Sequence, residues 1–144
     1  MHRPDAIACQ LPLPVPQEAG LRLMLMLFRR LATHGLRDGR AIMLAVDGFG
    51  TGFRRPLVLL RAFLAELATR SGRQITVAPC CALRMTMDEA RVLGVLAAAG
   101  SADDCAAHHL RMLTDRFDVA EPLSAAAALN AALADLGRPL ELRP

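Results

Sequence analysis

Two stretches of this 144-residue chain, 17–34 and 56–70, are apolar around most of a helical circumference, which limits the available folds more than any other feature. In the first, Glu18, Arg22, Arg29 and Thr33 recur at spacings of four, seven and four, giving one narrow polar stripe. Nearly everything else there is Leu, Met or Phe. The second stretch carries only Arg61, Glu66 and Arg70 as strongly polar residues beyond its first turn. Such helices must lie centrally in a bundle or be shared with a second subunit. The chain is 53% hydrophobic yet 3% aromatic, with five Phe and no Trp or Tyr. A core of Leu, Ala, Val and Met packs as helices more readily than as a β-sandwich. The expectation is a mainly α fold: a compact bundle of five or six helices with at most one short strand, the two apolar helices at its centre.

Caps and breakers set the boundaries. Pro16 suits the first turn of the first helix, and Gly35 the position after its end. Asp38 is an N-cap for a short helix over 39–46. Gly48, Gly50 and Gly52 read as a flexible loop, and Pro56 opens the helix over 57–69. The run 74–77 is strand-like and is stopped by Pro79. Thr86 and Glu89 form a capping box for a helix ending near Ala99. Ser101 caps the next, running to about Phe117, and Pro122 or Ser124 starts the last, over 125–136. Residues 1–16, with Pro4, Pro12, Pro14 and Pro16, read as an extended arm. Residues 17–144 read as a single helical domain.

All 17 basic residues are Arg, an expected consequence of a GC-rich bacterial genome, and the net charge is +3. The Arg residues are scattered and no aromatics interleave them, which argues against a nucleic-acid partner. No apolar run approaches the roughly 20 residues of a membrane span. The N-terminus lacks the pattern of a secretory signal. Four Cys without framework spacing, Cys80 and Cys81 being adjacent, fit a reducing compartment, so a cytoplasmic location is expected.

Two segments carry candidate chemistry. Cys80 and Cys81 lie between the strand-like run and a capped helix, where backbone N–H groups favour a thiolate, with Arg84 nearby. Cys105 shares a helix face with His108 or His109, at spacings of three and four. Cys80, Cys81, Cys105 and one His would complete a tetrahedral zinc set, although adjacent Cys is not usual zinc spacing. Met85 and Met87 would suit a softer Cu(I) site. The second segment, 48–56, is a Gly-rich loop leading into a helix with Arg54 and Arg55 at its start, a candidate anion site. Read with 41–46 as a strand it resembles a β-loop-α-β unit, but Phe53 stands where a dinucleotide fingerprint needs its third Gly. No G-x-S-x-G, H-E-x-x-H or Walker A pattern is present, so no enzyme class is indicated.

The segments His34-Gly35-Leu36-x-Asp38, 53–62 and Ala78-Pro79-Cys80-Cys81-x-x-Arg84-Met85-Thr86 resemble a family of small uncharacterised proteins from sphingomonads and related alphaproteobacteria. The resemblance spans roughly 20–95 and the closing 136–140. It implies an intracellular bacterial setting and no activity. Two functional classes follow from the whole sequence. One is a non-catalytic interaction or regulatory protein, working as a homodimer or with a protein partner through apolar and Arg-bearing surfaces. The other is a metal-binding or thiol-redox protein centred on Cys80 and Cys81.

Overall fold

A computed structural model of the chain describes residues 13–140. The arm up to Pro12, with Cys9, lies outside the described residues. Its last part enters the fold: β1 (Leu13–Pro14) pairs antiparallel with β2 (Arg84–Met85), Leu13 opposite Met85 and Pro14 opposite Arg84. Pro is tolerated here because a two-stranded ribbon leaves an outer edge that needs no donor.

Six α-helices account for the rest: α1 (Ala19–His34), α2 (Gly39–Phe49), α3 (Arg54–Arg70), α4 (Met87–Ala98), α5 (Asp103–Thr114) and α6 (Ala120–Asp135). The mainly α bundle expected from composition is the fold observed. α1 starts at Ala19 rather than at Pro16, because Glu18 caps it, its carboxylate accepting from the N–H groups of Gly20 and Leu21 at 2.8 Å each. Asp38 caps α2 by accepting from Ala41 N–H at 3.0 Å. The capping box of α4 is complete: Thr86 Oγ1 accepts from Glu89 N–H at 3.0 Å, and Glu89 accepts from Thr86 N–H at 2.9 Å. Ser101 does not cap α5; Ala102 occupies that position, and Asp103 accepts instead from Gly100 N–H at 2.7 Å. α5 stops at Thr114, short of Phe117, since Asp115 turns left-handed with φ 54°, a conformation Asp tolerates.

The helix expected over 39–46 is present and runs on to Phe49, so no β-loop-α-β unit exists. Two expectations are corrected. The Gly-rich segment is not a loose loop: α2 runs through Gly48 to Phe49, and a 3-10 turn (Gly50–Gly52) joins it to α3. A side chain at Gly48 would run into Leu23 of α1, and one at Gly52 would meet Leu136 at 2.7 Å. These glycines permit close packing. Finally, 74–77 is in no sheet, because no strand lies beside it; its backbone is held by side chains of α4's N-terminus.

The centre of the bundle is α4, whose Val92, Leu93, Val95 and Leu96 are buried against α1, α5 and α6. α3 packs along α6, and α1 along α2. α1 and α3 therefore flank the core: α3 buries Leu57, Leu60, Phe63, Leu64 and Leu67 and leaves Val58 58% exposed.

Candidate functional site

The polar stripe of α1 meets the capped end of α4 inside the protein. Arg29 is 2% exposed and Glu89 fully buried. Arg29 Nε donates to Glu89 Oε2 at 2.7 Å and Nη2 donates to Oε1 at 3.1 Å, a two-point fork. The same guanidinium donates to the carbonyls of Ala82 at 2.8 Å and Arg84 at 2.9 Å. Glu89 also accepts from Ala78 N–H at 3.3 Å. One turn end away, Asp88 binds the Arg73 guanidinium at 3.1 and 3.2 Å and accepts from Thr76 N–H at 2.7 Å. Thr86 Oγ1 donates to Thr76 C=O at 2.8 Å. Segment 71–86 is thus clamped along its length to the start of α4. The capping box expected of Glu89 is present, and Glu89 holds Arg29 and Ala78 as well.

This clamped segment presents Cys80 and Cys81 at the two corners of a β-turn, closed by Ala82 N–H donating to Pro79 C=O at 3.0 Å. Cys80 is half-buried and Cys81 exposed; both are free thiols. Arg30 grips Asp38 at 3.0 Å through two nitrogens, and its guanidinium also lies against the Cys80 thiol. Asp38 first, with Cys80 adding less, raises the Arg30 value, while the Arg30 bond holds the Asp38 carboxyl below the ordinary range.

Beside the clamp is an open groove of about 420 Å3 between α1, α3 and 74–77. Leu31, Leu36, Leu64, Ile75 and Val77 give it an apolar lining, and Arg73 borders it.

A model of a family of unknown function, DUF6628, matches residues 1–141. The chain belongs to the DUF6628 family. No curated protein and no solved structure matches it. The DUF6628 match spans every residue of the clamp, the cysteine turn and the groove.

The remaining candidates of this DUF6628 chain are dispersed. Segment 71–86 meets α5 at its C-terminal end, where Arg73 donates to Leu113 C=O at 3.0 Å. Cys105 lies eight residues earlier on α5, about 12 Å along the helix. Cys105 and His108 are exposed. Among the described residues no group of three or more His, Cys, Asp or Glu is placed to hold a metal ion, so the residues named for zinc are not gathered. Met85 is buried and Met87 is 49% exposed, so the pair named for Cu(I) diverges. Arg55 pairs with Asp135 at 2.8 Å on the surface, and Arg54 lies 5.8 Å from the Phe53 ring centroid. No helix among the described residues is long and apolar enough to cross a membrane.

His109 has a structural setting. A side chain at Gly94 of α4 would come within 2.8 Å of its Nε2, and its Nδ1 is buried without a hydrogen-bond partner among the described residues. Burial, then the charges of Arg91 and His108, hold its imidazole below the ordinary value of 6.5. The unfolded chain therefore takes up the proton first as pH falls. Stability is expected to be flat above about pH 6.5, to decline below it, and to level off beneath the folded value. Thermal midpoints measured between pH 8 and 5 check this, and His109→Gln should flatten the decline.

The sequence reading missed Arg29 and Arg73 as organising residues. The only sequence signal available for Arg29 was its position on a helix too apolar to be solvated on that side.

Proposed function

We propose that this chain is a non-catalytic interaction protein of the cell interior that takes an extended segment of a protein partner into the groove between α1, α3 and 74–77. One observation carries the reading. Backbone bonding along 75–78 alternates: Thr76 through both its groups and Ala78 through its N–H are held by side chains at α4's start, whereas the N–H and C=O groups of Ile75 and Val77 have no partner among the described residues. Alternation with period two is the signature of an extended chain with one free edge. Ile75 and Val77 also line the groove. A free edge beside apolar space suits a peptide that adds as a strand: its main chain pairs with the edge and alternate side chains enter the groove. An amphipathic helix would leave that edge unpaired.

Before any partner binds, the amides of Ile75 and Val77 should exchange with solvent at least about tenfold faster than those of Thr76 and Ala78. Adding a blocked synthetic peptide with Val at alternate positions should slow the exchange at Ile75 and Val77. Val77→Pro removes one edge donor and leaves the α4 bonds in place. It should weaken peptide binding by about tenfold. Equal binding by Val77→Pro, or a preference for a helical amphipathic peptide, overturns the reading.

The assembled form in this reading is a homodimer, supported by apolar side chains left exposed on α2 and α3, Met43 at 60% and Val58 at 58%. Light scattering at micromolar concentration reads the mass. A dimer that falls to a monomer in Val77→Pro makes a second copy of the chain the occupant of the groove, and the separate peptide partner is then wrong.

A further inference from the structure

We infer that Cys80 and Cys81 form an oxidisable dithiol whose oxidant is a hydroperoxide, with Cys80 as the attacking sulfur and Cys81 as the resolving one. The inference is independent of the groove. Three features place the roles. The thiols occupy adjacent corners of one β-turn, so a rearrangement of that turn alone is enough to bring them together. Cys80 is the half-buried member and lies beside the Arg30 guanidinium, a cation placed where the leaving oxygen gathers charge. Cys81 is exposed and free to rotate toward it. Cys105 has neither a neighbouring thiol nor a described cation beside it, and its own helix turn carries Asp103 and Asp104.

The chemistry balances as follows. The Cys80 thiolate attacks the terminal oxygen of the hydroperoxide; an S–O bond forms, the O–O bond breaks, and the alkoxide leaves as alcohol after taking a proton. Cys81 then attacks the Cys80 sulfur; the S–S bond forms, the S–O bond breaks, and hydroxide leaves with the Cys81 proton as water. The dithiol loses two electrons, which reduce the peroxide. Adjacent Cα atoms across a trans peptide are about 3.8 Å apart, below the usual disulfide range of about 4.4–6.8 Å. The resulting ring is strained and should reopen readily with dithiothreitol, as a signalling disulfide does and a structural one does not. Its closure must also reshape the turn whose Ala82 carbonyl is gripped by Arg29.

The test uses the full chain with one equivalent of hydrogen peroxide or tert-butyl hydroperoxide, read by intact mass and peptide mapping. The expected product has lost two hydrogens within the peptide that contains both Cys80 and Cys81, shows no covalent link between two chains in the denatured intact mass, and is restored by dithiothreitol. Cys105→Ser should react unchanged. Cys81→Ser should stop at a sulfenic acid on Cys80, trapped by dimedone, and Cys80→Ser should form neither. Arg30→Gln should slow the reaction by about tenfold with the circular dichroism unchanged. Oxidation of Cys105 at the same rate, sulfinic acid as the first product, or an undiminished two-hydrogen loss in Cys80→Ser or Cys81→Ser overturns the inference.

Discussion

Glu89→Ala is expected to destabilise the fold by about 3–5 kcal/mol, because it strands a buried guanidinium. Arg29 is 2% exposed and its Nε loses its only acceptor. The N–H groups of Thr86 and Ala78 lose theirs at the same time. Arg29→Ala should cost a similar amount, leaving the Glu89 carboxylate buried and removing the Arg29 bonds to the Ala82 and Arg84 carbonyls. The double variant Arg29→Met with Glu89→Leu separates two ideas. Replacing an isolated buried ion pair with apolar groups is often neutral. Here the pair also satisfies four backbone groups, so the double variant should stay destabilised, by less than the sum of the singles. Urea unfolding with the slope monitored supplies the comparison. A single-variant loss below about 1 kcal/mol, or full recovery in the double variant, would show that the clamp does not hold segment 71–86. Faster alkylation of Cys80 in Glu89→Ala would locate the loosening at the turn.

Phe63→Ala is expected to cost about 3–5 kcal/mol. The ring has no exposed surface and sits on the inward side of α3 with Leu60 and Leu67. Truncation removes the transfer energy of the ring and leaves a cavity that neighbouring helices close only in part. Val58→Ala, five residues earlier on the outward side, should change stability by no more than about 0.5 kcal/mol in the isolated chain. The contrast measures which side of an almost wholly apolar helix faces the core. Similar losses at both positions would mean that the outward side of α3 is also buried, as at a constitutive dimer interface.

Local chemistry was legible in advance. Thr86 with Glu89 and Asp38 with Ala41 are partners three residues apart, so a helix start was enough to fix their bonds. The same locality makes the Asp115 stop of α5 intelligible only afterwards: Asp permits a left-handed turn without requiring one. The 74–77 run shows the limit of strand propensity. Its residues suit an extended course and adopt one, but a sheet needs a second strand, and side chains at the start of α4 took both backbone groups of Thr76 instead.

The candidate site was legible only in pieces. The adjacent thiols are a covalent fact and their turn was in view, whereas the zinc set needed Cys105 beside them, and helix geometry holds it at the other end of α5. Glycines 48 and 52 carry no sign in the sequence that separates a loop from a tight helix contact; Leu23 and Leu136 supply the difference.

By itself the sequence determined the helical class, the starts of α2 and α4 and the adjacency of Cys80 and Cys81, since each follows from composition or from residues within a few positions of one another. Only the tertiary structure decided that α4 rather than α1 or α3 occupies the centre, and that Arg29 is buried on Glu89, 60 residues away. A periodic stripe states which side chains share a face. What that face meets depends on how the helices pack, and the energy of a buried charge pair exists only once both partners have left water together.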